Sequence, residues 1–152
     1  MRIVEWIGLL HPLVVHFPIA LLLAAALAEV LVICEWVPGA GMKTAVRFCL
    51  WTGTLAALVA AALGWADAIL RSRDFMGFLS EVLAWHRWLG TSTAGCAVLT
   101  LGAYELARLR GRGRGWYRLG LLLCVLLIVA TGYLGASLIY GRDYLRWPPR
   151  AT

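Results

Sequence analysis

The chain reads as an all-α protein, a four-transmembrane-helix bundle with both termini on the same, outer side of the membrane. Three observations predict this. The 152 residues are 62% hydrophobic and only 14% charged, against roughly 45–50% apolar usage in soluble domains. Mean hydropathy is +0.80. The apolar residues form four continuous runs of about 20, the length that crosses a bilayer as a helix, whereas barrel strands would alternate polar and apolar positions. Together the runs occupy most of the chain, so residues 1–152 form a single integral membrane domain with no room for a second.

The first span covers residues 13–33, and Trp36-Val37-Pro38-Gly39 with Gly41 makes a stop and turn after it. Ala26-Leu27-Ala28 before Glu29 has the small residues of a signal-peptide cleavage site. Two histidines and two prolines interrupt the apolar region, and the leading segment pairs its one arginine with an acid, so this is a retained helix. The second span covers 45–65 and ends at Asp67. Between Arg71 and Glu81 the polar residues interleave with Phe75, Met76, Phe78 and Leu79, the pattern of a short helix lying at the interface.

The third span, 82–106, carries Trp85-His86-Arg87-Trp88 at its entrance; the fourth covers 119–140. Between them Arg108, Arg110, Arg112, Arg114 and Arg118 crowd one short loop. The net charge of +6 therefore reflects topology and anionic lipid. No aromatic platform or base-reading fold accompanies the arginines, which argues against a nucleic-acid partner. A cytoplasmic position for this loop, with Lys43 and Arg47 on its side, puts the termini and all three histidines outside a bacterial cytoplasmic membrane.

Four single cysteines, Cys34, Cys49, Cys96 and Cys124, form no C-x-x-C or C-x-x-C-H motif and take packing roles. Most of the eight tryptophans flank spans as interfacial anchors. Glu29 and Glu105 lie at the ends of their spans away from the histidines and suit structural pairing, Glu105 with Arg108 at helical spacing; a proton route through Glu29 is the alternative. Ser137 and Thr131 have no nucleophile motif around them, so catalysis by this chain alone is not expected.

Chemistry concentrates on His11, His16 and His86, the only histidines, all near one interface. Polar groups inside a membrane are costly and are usually paired or functional. His11 and His16 are five apart, about 140° around a helix, so only one can point into the bundle. His16 lies deeper in the apolar run, which makes His16 and His86 the expected inward ligand pair for a b-type haem iron, with His11 as an accessory contact. Asp67 is placed to orient an imidazole. Arg87, Arg142 and one of Arg71 or Arg73 lie level with haem propionates.

The glycines Gly64, Gly90, Gly132 and Gly135 would leave room for a flat macrocycle, although for the glycines alone close helix packing is the preferred reading. Zinc or copper held by the three imidazoles with Asp67 is an alternative. A cofactor-free membrane scaffold or accessory subunit is another.

His11-Pro12-Leu13-Val14-Val15-His16-Phe17-Pro18-Ile19-Ala20, Gly64-Trp65-Ala66-Asp67, the His86 entrance and Thr131 to Tyr140 together resemble a bacterial membrane family known as domain of unknown function 2231. The resemblance covers nearly the whole chain and is most distinctive in its opening HPxxVHFPIA pattern. Ala136 and Ser137 depart from it, standing where a glycine and an acidic residue are expected. The resemblance implies four inner-membrane helices and, because some members look like modules joined to cytochrome c or Rieske-type domains, electron transfer on the outer face. A periplasmic cytochrome, a membrane redox complex or a quinone would be the partner.

Overall fold

The computed structural model describes residues 10–71 and 77–141, with the backbone alone for 39, 40, 70 and 71. A short helix α1 (His11–Val14) leads through Val15 into α2 (His16–Ile33). Then follow α3 (Gly39–Arg71), α4 (Phe78–Arg110) and α5 (Arg114–Tyr140). The fold is all-α. Pro12 falls in the first turn of α1, where its missing N–H costs no hydrogen bond.

Each long helix packs on its sequence neighbours, and α2 also packs on α5. This closes a four-helix ring of up-down-up-down order. At 33 residues each, α3 and α4 are about 50 Å long at 1.5 Å per residue, well beyond a hydrocarbon core of about 30 Å.

Three segments are long and apolar enough to cross a membrane: His11–Ile33, Gly41–Ile69 and Arg114–Tyr140, with mean hydropathies of 2.2, 1.7 and 2.4. The third span of the sequence reading falls in α4, which is not among them. Its long run is diluted by Glu81, His86, Arg87, Thr91, Ser92, Thr93 and Thr100, several of which turn into the bundle.

Small residues fill the core. Ala25, Ala28, Ala57, Ala60, Ala94, Ala97 and Ala107 are buried beside Leu22, Leu50, Leu121 and Ile128, which lets the backbones approach closely. Large apolar side chains face outward, with Leu99 75% exposed and Ile139 77%. A soluble bundle would bury these side chains. Their exposure is favourable where the surroundings are lipid.

The turn chemistry differs from the sequence reading at one point. Glu35 ends α2 in the left-handed region at φ 59°, and Gly39 and Gly41 lie inside α3 instead of forming the turn. Terminating hydrogen bonds hold Glu35 there: its own N–H donates to Val32 O and Trp36 N–H reaches back five residues to Leu31 O. At the other loop, Gly111 (φ 66°) and Gly113 (φ 90°) take the positive φ angles that reverse the chain between α4 and α5. Phe78, Leu79 and Glu81 form the first turn of α4; the rest of the expected interfacial helix lies outside the described residues.

Candidate functional site

The inward face of the first helical segment repeats on a heptad-like seam. His11, Pro18, Leu22, Ala25 and Glu29 turn inward, while Leu13, His16, Phe17, Leu23, Leu27 and Val30 form the outer stripe. His16 is therefore exposed on the lipid-facing side, and His11 is the histidine inside the bundle. This reverses the expected roles. Depth in the apolar run favoured His16, but the face of the helix decides which imidazole points inward.

His11 meets His86 across the bundle. Their ring centres lie 6.3 Å apart with the planes at 84°. Each ring is tied by Nδ1 to a backbone carbonyl, His11 to Ala60 O at 2.9 Å and His86 to Thr131 O at 3.0 Å. A carbonyl can only accept, so Nδ1 carries the proton in both rings. In a neutral ring so held, Nε2 is the nitrogen with the lone pair.

A glycine backs each imidazole. A Cβ on Gly64 would come within 2.8 Å of His11 Cε1, and one on Gly135 within 3.1 Å of His86 Cε1. No other side chain fits at Gly64 without moving the ring. These two glycines thus act in the site, whereas Gly132 has open space around its Cβ position and Gly90 only an ordinary contact with Thr131.

Next to His86 in the chain, Arg87 and Trp88 join a polar and aromatic cluster with Trp65 and Thr91. Trp65 Nε1 donates to Thr91 Oγ1 at 2.9 Å, Thr91 Oγ1 donates to Arg87 O, and Trp88 meets Trp65 edge-on at 5.6 Å. The Arg87 guanidinium carbon sits 4.0 Å above the Trp65 ring. Arg87 Nε and Thr131 Oγ1 are buried with no hydrogen-bond partner among the described residues. Such groups are uncommon because each costs about 1–3 kcal/mol. Both belong to residues flanking the site, since Arg87 follows His86 and Thr131 O holds its ring.

Asp67 does not hold either Nδ1; the carbonyls of Ala60 and Thr131 do. Arg142 and Arg73 lie outside the described residues, as does the side chain of Arg71. Among the described residues no group of three or more His, Cys, Asp or Glu is arranged to hold a metal ion. The three imidazoles and Asp67 do not converge.

At the opposite end two carboxylates staple the helices. Glu29, 6% exposed, accepts from Tyr117 Oη at 2.8 Å and Arg118 Nε at 3.0 Å. Glu105 accepts from Arg47 Nε, Trp51 Nε1 and Arg108 Nε at 2.6, 2.9 and 2.7 Å. Structural pairing is what these residues do, and Glu105 engages Arg108 at the expected helical spacing. The roles of Arg47, Trp51 and Tyr117 required knowledge of which helices are neighbours.

The family described as "Predicted membrane protein (DUF2231)" matches residues 9–143. The chain belongs to the DUF2231 family. The match spans both histidine-bearing helices and both glycines, so the resemblance read from HPxxVHFPIA extends over the whole bundle. No curated protein and no solved structure matches the chain. As a member of a membrane family with several apolar helices, this DUF2231 protein contacts the lipid bilayer.

Proposed function

We propose that this DUF2231 protein is a b-type haem protein that passes electrons near the outer face of a bacterial cytoplasmic membrane, with His11 and His86 as the residues that would hold the haem. The observation that carries this reading is the His11–His86 pair. An imidazole nitrogen binds a metal at about 2 Å, and about 1 Å more separates that nitrogen from the ring centre. Ligands on opposite sides of one metal thus have ring centres about 6 Å apart, and ligands of a tetrahedral site about 5 Å. The 6.3 Å separation is compatible with two imidazoles holding one centre between them.

The chain's own groups fit such a ligand. Nδ1–H anchored on a carbonyl holds the ring orientation and leaves Nε2 basic. Arg87, with its buried and unpartnered Nε, is placed for an anionic substituent such as a propionate. Trp65 packs edge-on against Trp88 and lies under the guanidinium of Arg87, the residue beside His86 in the chain. When bound, the haem would supply a one-electron couple; the protein's burial of the pair would tune its potential.

In this reading α4 crosses the membrane with the other three helices, its polar side chains shielded inside the bundle. The loop bearing Arg108 to Arg118 faces the cytoplasm and the termini face outward. A periplasmic cytochrome, a membrane redox complex or a quinone is the electron partner.

The test is an absorption spectrum of protein purified from haem-replete cells. A Soret band that disappears in His11→Ala and in His86→Ala but survives in His16→Ala supports the assignment. A colourless preparation overturns it and favours a cofactor-free scaffold.

A further inference from the structure

The two halves of the bundle place a histidine, an arginine, a leucine and a glycine at corresponding positions, with buried residues of differing type between them. From the first helical segment to α4 one constant chain offset pairs His11 with His86, Pro18 with Thr93, Leu22 with Ala97, Ala25 with Thr100 and Glu29 with Tyr104. Apart from the half-buried histidines, every member of these pairs is buried. From α3 to α5 a second constant offset pairs Val46 with Tyr117, Arg47 with Arg118, Leu50 with Leu121, Ala57 with Ile128, Ala60 with Thr131 and Gly64 with Gly135.

The interactions repeat with the positions. His11 is anchored on Ala60 O and backed by Gly64, one turn further on; His86 is anchored on Thr131 O and backed by Gly135, again one turn further on. At the other end the ion pairs also cross between halves, with Glu105 one residue past the Tyr104 that corresponds to Glu29: Arg47 of the first reaches Glu105 of the second, and Arg118 of the second reaches Glu29 of the first. Helix packing obeys the same exchange, because α2 on α3 corresponds to α4 on α5, and α3 on α4 to α5 on α2. Both hairpins begin at the histidine end. The operation relating them is therefore a rotation about the bundle's long axis, the parallel kind of internal repeat.

We propose that the chain is two copies of one histidine-bearing hairpin related by a two-fold axis along the bundle, and that Gly64 and Gly135 are equivalent positioning residues that set the two imidazoles on either side of a ligand lying on that axis. The ligand class is a centre that accepts two opposed, like donors, as a metal in a flat macrocycle does. This deepens the haem reading by assigning the site's symmetry and its positioning residues, and it rests on the histidine pair being the site, not on which group binds there.

The register also accounts for the third histidine. The position in α4 that corresponds to His16 is Thr91, so the repeat has no second outward histidine and His16 has no counterpart.

The experiment is nitrogen NMR of the full-length protein labelled with ¹⁵N-histidine in detergent micelles, recorded without and with added haem. Without haem, His11 and His86 are expected as two Nδ1–H tautomers. Gly64→Ala is expected to shift the His11 nitrogens alone and Gly135→Ala the His86 nitrogens alone, while Gly132→Ala, where the space is open, moves neither. With haem, the Gly64 and Gly135 variants each weaken binding by a similar factor, about tenfold.

Nε2–H tautomers for both rings in the wild type, or an alanine that shifts the wrong histidine or neither, would overturn the proposal without reference to haem. The symmetric pattern in a protein that takes up no haem would leave the proposal standing and remove the haem reading alone.

Discussion

At the scale of single residues, the outcome turns on which partner each polar group finds. Glu29 is buried between Tyr117 and Arg118, so Glu29→Ala leaves an arginine and a phenol facing an empty site. Breaking a buried pair from one side costs about 3 kcal/mol. Glu105→Ala removes a carboxylate whose arginines are half exposed and is expected to cost about 1 kcal/mol or less. Denaturant titration of both variants in one detergent tests the ranking; equal losses would contradict it. His11 illustrates the limit of reading residues one at a time. Its importance was visible, but its inward position follows from sharing a seam with Pro18, Leu22, Ala25 and Glu29, a pattern that the depth criterion for His16 passed over.

At the scale of helices, close approach at small residues controls packing. A Cβ on Gly53 would lie 3.1 Å from Leu21 Cβ and 3.3 Å from Leu22, and one on Gly120 would run into the Thr100 hydroxyl. Gly53→Ala and Gly120→Ala are each expected to destabilise by about 1–3 kcal/mol through overpacking. Gly95 has open space at its Cβ position, so Gly95→Ala should instead stabilise by about 0.5 kcal/mol, the usual gain in a helix interior. Thermal melts of the three variants in micelles check the signs. Helix existence and order were legible because continuous apolar runs permit little else. The ends were less legible: α3 continues past Asp67 to Arg71, and Glu35, with no glycine nearby in α2, terminates that helix through its backbone hydrogen bonds.

At the scale of the whole molecule, orientation is set by where the charged loops lie relative to the membrane. Cys34 is exposed at the turn between α2 and α3, whereas Cys124 is buried. In a variant retaining only Cys34, a membrane-impermeant maleimide should label inverted vesicles and spare intact cells. Labelling of intact cells would place the arginine loop outside. The sequence by itself determined the all-α class, the membrane setting, the family and the small set of histidines that matter, because hydrophobic run length and residue scarcity are properties of the chain alone. Only the tertiary structure decided that His11 and not His16 faces His86, that Gly64 and Gly135 seat the rings, and that the ion pairs cross between halves. Those facts depend on which faces of separate helices meet, and that is set by packing distances between residues far apart in the chain.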